Sequence, residues 1–494
     1  MKRFWLVMLA LGMLFAFSSS VFAADVKFTG SFYAAGMYQS KTSLMKDGGV
    51  VYVPSWGGIS TVSAGDNSTA FYYQRLRVGM YFIVTPALSL VTRFDAMERV
   101  WGAPRSAAGA TDAYGRPIAD VGSVGTVAEN ENIAFDWAYI QYVSPIGAFL
   151  VGYQQDGAWG TVFGDNSIPL AKIQYVIRTG PVTAGAYAGK IMELSRTAKY
   201  ATGVTDQDTD KYVAFVNYAI NKDIQVGLLG SYIRDASDRD GQNNTLNVMA
   251  GPNLLYKLQL YTLQPYFKAK VGPVALEGEF QYGWGQVRFE DDSLVPGTAG
   301  TKIKIENNMA LYLNAVADLG MFYVGGTFAW LSGDKTGTAD KIEGGLLNGG
   351  IDWNPALILF NFDKTYWAGA PAGHVYLNTP GAGVPYNTSP GSTMKNAWFY
   401  QGRVGVRPVP ALDIMAALTY AQADKKPGSL ASVSEKDYGW ELDVTATYAI
   451  TNNLSYMLGV GYLWTGDYYK GYNPAGVNKV NDDYLVINKL TLTF

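Results

Sequence analysis

Hydrophobic and polar residues alternate along many short segments of the chain, and the last such segment ends at the C-terminal residue. In "NDDYLVINKLTLTF", Tyr484, Leu490, Leu492 and Phe494 share one apolar face, and the opposite face is mostly polar. Successive side chains of a β-strand point to opposite sides of the sheet. The alternation therefore predicts strands that are apolar on one face only.

Short segments rich in turn-forming residues separate these strands in pairs. Residues 85–87 (Thr-Pro-Ala) and 451–453 (Thr-Asn-Asn) are two of eight such segments, each lying between two alternating runs. Eight turns of this kind join sixteen strands into hairpins. One more strand at residues 26–39 and another at 484–494 bring the predicted total to about eighteen.

The connections between the hairpins are long, and they are rich in Gly, Asp, Asn, Ser and Thr. Short and long connections alternate strictly, which is typical of barrels with short periplasmic turns and long extracellular loops. The pattern predicts an all-β fold, a transmembrane antiparallel β-barrel over residues 24–494. A large secreted β protein is the alternative, but strict alternation of connection lengths is not expected there.

The N-terminal segment has the features of a secretory signal peptide. Lys2 and Arg3 precede an apolar run over residues 4–17, and a small-residue cleavage pattern ends at Ala23. A membrane anchor is the alternative, but the run is shorter than the ~20 residues of a spanning helix. We therefore expect residues 1–23 to be removed on export.

Composition excludes several classes of protein. Charged residues make up 16% of the chain, below the ~25% of soluble domains, and there is no cysteine for disulfides or thiol chemistry. A net charge of −3 is too small to indicate a nucleic-acid partner. His374 is the only histidine, and the acidic run at Asp206, Asp208 and Asp210 lacks the glycine and distal glutamate of a calcium loop. We expect no enzyme activity, no metal and no cofactor.

Many predicted strands carry charged residues on their polar face. Such a face lines water at little cost, whereas charges inside a dry core are expensive. The predicted pore-lining residues are Arg75, Arg77, Arg93, Asp95, Arg178, Lys268, Glu277, Glu279, Arg403, Arg407, Glu441 and Asp443. In residues 133–143 the alternation is ambiguous, and it requires either Asp136 or Gln141 to face outward.

Basic residues outnumber acidic residues on the predicted inner face, although the whole chain is slightly acidic. Rings of Arg and Lys favour anions in pores, so the excess predicts a mildly anion-preferring channel. The alternative is that the arginines pair with Asp95 and neighbouring carboxylates and only stiffen the wall. A barrel of eighteen strands has a lumen too wide for wall side chains to fill, which predicts an aqueous channel.

The signal peptide, the alternating connections and the aromatic terminal strand resemble Gram-negative outer-membrane porins of the 16–18-strand class. The resemblance implies passive diffusion of small hydrophilic solutes, contact with lipid and lipopolysaccharide, and a monomer or homotrimer. The terminal pattern of Tyr484, Leu490, Leu492 and Phe494 resembles the signal recognised by the barrel-assembly machinery. Substrate-specific porins and polysaccharide-export barrels share this architecture, and a scaffold barrel around an electron-transfer protein stays a further alternative.

The connection at residues 332–398 is far longer than the others. It contains "GGIDWNPALILFNFDK", whose apolar run at residues 356–360 is expected to pack against protein rather than extend into water. We expect this loop to fold into the mouth and narrow it, with Asp352, Trp353 and Asn354 at the constriction. Packing against neighbouring loops or another protomer is the alternative.

Overall fold

The computed structural model describes most of the chain beyond the expected signal peptide. The described ranges are residues 25–41, 44, 46, 49–53, 58–62, 68–102, 133–194, 207–237, 256–289, 300–335, 338, 340–368, 393–426, 435–470, 472–473, 476–477 and 479–494. Within these ranges, no helix is long and apolar enough to cross a membrane.

Long β-strands dominate the described residues, and eighteen of them form the wall of the fold. They are β1 Asp25–Gln39, β2 Thr69–Thr85, β3 Leu88–Val100, β4 Ile133–Ser144, β5 Gly147–Asp156, β6 Ile168–Thr179, β7 Val182–Met192, β8 Thr209–Ala219, β9 Ile224–Asp235, β10 Tyr256–Val271, β11 Val274–Phe289, β12 Lys302–Leu319, β13 Phe322–Leu331, β14 Ala397–Val409, β15 Leu412–Ala423, β16 Asp437–Ala449, β17 Leu454–Thr465 and β18 Asp483–Thr493.

Each wall strand pairs antiparallel with the next one along the chain, and β18 pairs with β1 to close the sheet into a barrel. The closing register runs from Ser31 opposite Thr493 to Gln39 opposite Leu485. Closure leaves no free sheet edge, so the backbone N–H and C=O groups of every strand are paired without water. The predicted antiparallel barrel of about eighteen strands is therefore confirmed.

Short elements outside the wall lie in the long connections. Helix α1 spans Phe362–Ala368, a 3₁₀ helix spans Asp467–Lys470, and Lys341–Ile342 adds a short parallel strand to β12. Two small hairpins pair Gly49–Val53 with Gly58–Val62 and Tyr472–Asn473 with Gly476–Val477, each two-stranded and apart from the barrel sheet.

The eight short turns predicted from the sequence lie together at one end of the barrel, and the long connections lie at the other. Glycine makes two of these turns possible, because Gly272 has a φ of 59° and Gly320 a φ of 85°, in the left-handed region. The Asp318 carboxylate also accepts a hydrogen bond of 3.0 Å from the Gly320 N–H. The alternation of short and long connections is confirmed.

Large apolar side chains are exposed on the outer surface of the barrel. Phe135, Ile173, Val404 and Leu458 have 62%, 63%, 56% and 46% of their surface exposed, although they belong to strands that are paired on both sides. Aromatic rings form continuous rows on this surface near the long-loop end, at Tyr212, Tyr232, Tyr261 and Trp284 and again at Phe328, Tyr400, Tyr420 and Trp440. An apolar band edged by aromatic residues is the lipid-facing surface of a transmembrane barrel.

A β-bulge in β4 corrects the expectation that Asp136 or Gln141 must face outward. Arg93 pairs with Trp137 and Phe94 with Phe135, so Asp136 is an extra residue between two pairs. The bulge keeps Asp136 and Trp137 on the inner side, where both contact Arg93. Because the bulge shifts the alternation by one residue, Gln141 also falls on the inner face, and the prediction was wrong.

The largest cluster of buried apolar side chains lies inside the barrel, where loop residues pack against the wall. Loop residues Phe163, Trp353 and Phe360 join wall residues Tyr73 and Phe399 in this cluster, each of them at most 5% exposed. Residues 157–167 between β5 and β6 and the described part of 332–396 between β13 and β14 turn inward to build it. Leu44, after β1, and Tyr468 and Tyr469, after β17, also contribute to it. Loops therefore occupy part of the lumen that wall side chains are too short to fill.

Candidate solute pathway

The connection at residues 157–167, named here the short inner loop, is attached to the inner face of β10 and β11. The Thr161 N–H and hydroxyl donate hydrogen bonds of 3.0 and 2.9 Å to the Glu279 carboxylate. The Trp159 indole N–H donates to the Gln264 carbonyl at 2.8 Å, and its ring lies 5.2 Å from the ring of Tyr266. The loop therefore crosses the lumen and stays on the wall by specific polar contacts.

Residues 340–368, named here the long inner loop, are attached to β14 and β16. The N–H groups of Ile358 and Leu359 donate to the two oxygens of the Glu441 carboxylate at 2.6 and 2.7 Å. The Leu357 N–H donates to Asp443 at 3.2 Å, and Gln401 donates to the Pro355 carbonyl at 2.6 Å. Wall carboxylates thus satisfy backbone donors that would otherwise be buried without a partner.

Helix α1 continues the long inner loop onto β1 and β2. The Trp367 ring stacks on Tyr73 at 4.5 Å and meets Tyr33 edge-on at 6.4 Å. The Lys364 side chain is 2% exposed, and the Asp483 and Glu441 carboxylates are close enough to act on its charge. Burial lowers the pKa of Lys364, whereas these two carboxylates act in the opposite direction.

The two inner loops are joined to each other in the lumen. The Gly164 N–H donates to the Gly349 carbonyl at 2.9 Å, and the Asp352 N–H donates to the Asp165 carbonyl at 3.1 Å. The Phe163 ring lies 5.0 Å from Tyr312 and 5.1 Å from Trp353. The loops consequently form one continuous partition across this part of the lumen.

The three residues predicted to form the constriction differ in exposure. Trp353 is 5% exposed and packs between Phe163 and Phe399, so its ring is part of the partition rather than of an open surface. Asp352 and Asn354 are exposed. Their part in narrowing the pathway stays a prediction, and the later part of the loop, residues 369–392, lies outside the described residues.

Asp165 lies at the junction of the two inner loops. Its carboxylate accepts a hydrogen bond of 2.6 Å from the Trp159 N–H. Burial, helped by the nearby Asp352, raises the pKa of Asp165 to about 7, although the Trp159 N–H and Lys268 oppose the rise. This carboxyl therefore changes its charge near neutral pH, at a contact between two loops.

Three of the predicted wall arginines are paired with carboxylates on neighbouring strands. Arg77 binds both oxygens of Asp95, at 2.7 and 2.6 Å, and Arg75 binds Glu98 at 3.1 Å. Arg93 binds Asp136 at 2.8 Å, and its guanidinium also lies 3.6 Å from the centre of the Trp137 ring. Ion pairs between wall arginines and carboxylates, which are the alternative explanation to anion selectivity, are therefore present in this part of the wall.

Arg403 has a different environment. Its guanidinium donates to the neutral oxygens of Asn314 at 2.6 Å and Thr327 at 2.7 Å. The nearby Glu277 carboxylate instead accepts hydrogen bonds from Tyr312 and Asn314, both at 3.0 Å. Arg403 is thus held in place by neutral groups, and its positive charge is not cancelled by a direct ion pair among the described residues.

The remaining predicted wall residues lie nearer the short-turn end. Arg407 binds Asp413 at 3.0 Å and Asp318 at 3.2 Å, and Arg178 and Lys268 are exposed. On the outer face, the proposed assembly-signal residues are all partly exposed to the surroundings of the barrel, namely Tyr484, Leu490, Leu492 and Phe494. Recognition by the assembly machinery stays a prediction.

The sequence analysis missed the short inner loop. Trp159, Thr161 and Phe163 alternate within "GAWGTVFGDN", and two of them are aromatic, which is unusual for a polar extracellular loop. That aromatic content was the available signal. His374 and Asp206 lie outside the described residues, while Asp208 and Asp210 both bind Lys190, at 2.7 and 2.6 Å. The described residues contain no cluster of three or more side chains able to hold a metal.

Comparison with known proteins gave matches among solved structures only. No family model matches the chain, and no curated protein does. Pseudomonas aeruginosa OccK9 (OpdG) has a TM-score of 0.47 at 13% identity, covering 95% of this chain and 99% of that one. OccK8 (OprE) of the same organism has a TM-score of 0.46 at 11% identity, covering 95% of this chain and 98% of that one. P. aeruginosa OpdK, solved with vanillate, has a TM-score of 0.44 at 13% identity, covering 95% of this chain and 99% of that one.

The geometry of this chain itself determines where the protein resides. A closed antiparallel barrel with a continuous apolar outer band and aromatic rows meets the requirements of a bilayer, because all backbone groups are paired internally. Barrels of this kind, with short turns at one end and long loops at the other, belong to the outer membrane. The chain is therefore a closed transmembrane β-barrel of the outer-membrane type, as expected from the sequence.

Proposed function

We propose that the protein is an outer-membrane channel for passive diffusion of small hydrophilic solutes through a lumen narrowed by its two inner loops. The observation that supports this most directly is the fastening of both loops to wall carboxylates, Thr161 to Glu279 and residues 357–359 to Glu441 and Asp443. A loop fixed inside the barrel limits solute size while the remaining lumen conducts. Contact with lipid and lipopolysaccharide, assembly by the barrel-assembly machinery and a monomeric or trimeric state belong to the same proposal.

A mild anion preference is part of this proposal, and the unequal exposure of luminal charges supports it. The carboxylates that anchor the inner loops are covered, with Glu279 3%, Glu441 0% and Asp443 3% exposed. In contrast, Arg178 and Lys268 are exposed, and Arg403 has only neutral direct partners. The charge that a passing ion can reach is therefore more positive than the numbers of basic and acidic residues on the inner face indicate.

Planar-bilayer recording of the purified protein tests the channel and its selectivity together. We expect steady ohmic conductance, and a reversal potential in a salt gradient that indicates a slight excess of anion flux. Removal of residues 344–363, the central part of the long inner loop, is expected to raise the conductance. Absence of any conductance would contradict the channel and favour a scaffold barrel, and a clear cation preference would contradict the anion preference alone.

A substrate-specific or polysaccharide-export channel is the second candidate function. It is favoured by the fixed partition, since an unspecific pore has no need of two loops joined to each other and to the wall. Saturation of solute flux with concentration would distinguish it from passive diffusion, in which flux rises linearly.

A further inference from the structure

A chamber lies inside the barrel between the short inner loop and the wall strands β6 to β11. Its volume is about 510 Å³, which is within the range of roughly 300–1,000 Å³ found for small-molecule sites. Residues 346–348, in the first part of the long inner loop, also border it. Both inner loops therefore border the chamber, which lies between their partition and strands β6 to β11.

An aromatic platform forms one boundary of the chamber. The Trp159 and Phe215 rings line the chamber, 5.7 Å apart and inclined at 58°, and the Tyr266 ring supports Trp159 by an edge-on contact at 5.2 Å. The Trp159 indole N–H is bound to the Gln264 carbonyl, which fixes the orientation of the ring. A rigid aromatic surface of this kind offers an apolar face to a flat or ring-shaped solute.

Neutral amides and hydroxyls line the adjacent wall. Ser231 and Thr262 share one hydrogen bond of 2.6 Å, and the Gln264 amide donates to Thr262 at 3.2 Å. The Gln174 amide also borders the chamber. Because a primary amide has two donors and an acceptor, and a hydroxyl has one donor and two lone pairs, these contacts leave several donors and acceptors for a solute.

The ionic groups around the chamber are already bound to the protein. The Asp156 carboxylate forms ion pairs with Lys172 at 3.2 Å and Lys211 at 2.5 Å, and it accepts a hydrogen bond of 2.6 Å from the Tyr187 hydroxyl. The Glu279 carboxylate receives three hydrogen bonds, two from Thr161 and one of 2.9 Å from Gln281. Asp165, which also lines the chamber, accepts a hydrogen bond from the Trp159 N–H. The two lysines and three carboxyls are therefore all bound within the protein, so a solute carrying net charge gains little here, whereas a neutral one meets the platform and the neutral wall.

We propose that this chamber binds a neutral, hydroxyl-rich ring solute, namely a monosaccharide or disaccharide. A sugar ring has an apolar C–H face that fits an aromatic platform and a rim of hydroxyls that fits amides and hydroxyls. The bound sugar stacks on Trp159 and exchanges hydrogen bonds with Gln174 and Thr262. This inference rests on the proposed channel function and adds a binding site to it.

Single-channel recording with sugars in the bath tests the inference. D-glucose and sucrose are the probes, and a neutral polyethylene glycol of about the same hydrodynamic size and the zwitterion glycine are the controls. We expect the sugars to interrupt the current with saturable concentration dependence. Polyethylene glycol and glycine are expected to produce at most a non-saturating decrease. Equal effects of sugar and polyethylene glycol would overturn the inference, because only steric exclusion would then operate.

Two variants separate stacking from hydrogen bonding, and each has a second variant as its control. Trp159→Ala removes the platform and is expected to raise the half-blocking sugar concentration about five- to tenfold. Trp159→Phe keeps a ring and is expected to restore most of the binding. Gln174→Leu removes an amide without touching either inner loop, and an increase of about threefold to tenfold is expected. Gln141→Leu makes the same change on the inner face of β4, outside the chamber, and is expected to leave the block unchanged.

The results distinguish failure of this inference from failure of the channel itself. Normal conductance without saturable sugar block overturns the chamber as a sugar site and leaves the channel intact. Stronger block by glycine than by sugar overturns it in favour of a charged ligand. Gln174→Leu and Gln141→Leu affecting the block equally would likewise overturn it, and absence of any current rejects both proposals.

Discussion

Replacement of Glu441 by alanine is expected to release the central part of the long inner loop from the wall. The Glu441 side chain is fully buried, and its two oxygens accept the N–H groups of Ile358 and Leu359 at 2.6 and 2.7 Å. Glu441→Ala removes both bonds and leaves two backbone donors buried without partners.

The size of the effect follows from the number and type of these bonds. A buried donor that loses its partner costs roughly 1–3 kcal/mol, so losing both bonds weakens loop docking by about 2–6 kcal/mol. Each 1.4 kcal/mol is a tenfold change in an equilibrium, so the undocked population rises at least about twentyfold. The closed sheet is untouched, because the backbone pairing of β16 with β15 and β17 does not depend on this side chain.

Hydrogen exchange read by mass spectrometry over residues 355–361 measures the docking directly. We expect faster exchange in this segment of Glu441→Ala, together with higher or more variable single-channel conductance and unchanged exchange in the wall strands. Asp318→Asn is the matched control, since it neutralises a carboxylate at the short-turn end, far from the inner loops. Identical exchange of residues 355–361 in the variant and the unmodified protein would refute the role assigned to Glu441.

Three further predictions concern other parts of the pathway. Because burial raises the pKa of Asp165 to about 7, its carboxyl is mostly charged at pH 8, where it repels Asp352, and mostly neutral at pH 6. A carboxyl whose pKa is higher in the docked loop than in the free loop destabilises the docked loop as the pH increases from the lower pKa to the higher one. Exchange of the loop-junction amides, corrected for intrinsic rates, should therefore be slower at pH 6 than at pH 8, and Asp165→Asn should remove the difference. Arg403→Gln is expected to lower the anion-to-cation permeability ratio by about twofold, and a larger effect from Arg407→Gln, whose charge is already paired, would contradict the reasoning. Trp367→Ala removes the stack of this partly buried ring on Tyr73 and should weaken α1 docking by about 1.5–3 kcal/mol, detected as protease cleavage near α1 without loss of the folded barrel.

Most of the wall was predictable because its determinants are local. The period of two along a strand and the turn residues at positions such as Gly272 and Gly320 act within a few residues of the chain. Strand count, connection order and the outward face of β18 follow from them. The exception in the wall is the bulge at Asp136, since an inserted residue is seen only when β4 is aligned against its partner β3.

The interior was decided by contacts between residues far apart in the sequence. The amino-acid sequence shows that residues 356–360 are too apolar to extend into water, but not which surface they cover. Their partner Glu441 lies some eighty residues away, and a carboxylate on a strand has the same local pattern whether it faces water or the backbone N–H groups of a loop.

The same reason explains why the sequence assigned Glu279, Glu441 and Asp443 to the pore lining, whereas in the folded chain they hold loops in place. The sequence by itself determined a closed, lipid-facing wall, because hydrophobic alternation and turns are short-range properties. Only the tertiary structure decided how the lumen is divided, because that depends on where two long connections meet the wall and each other.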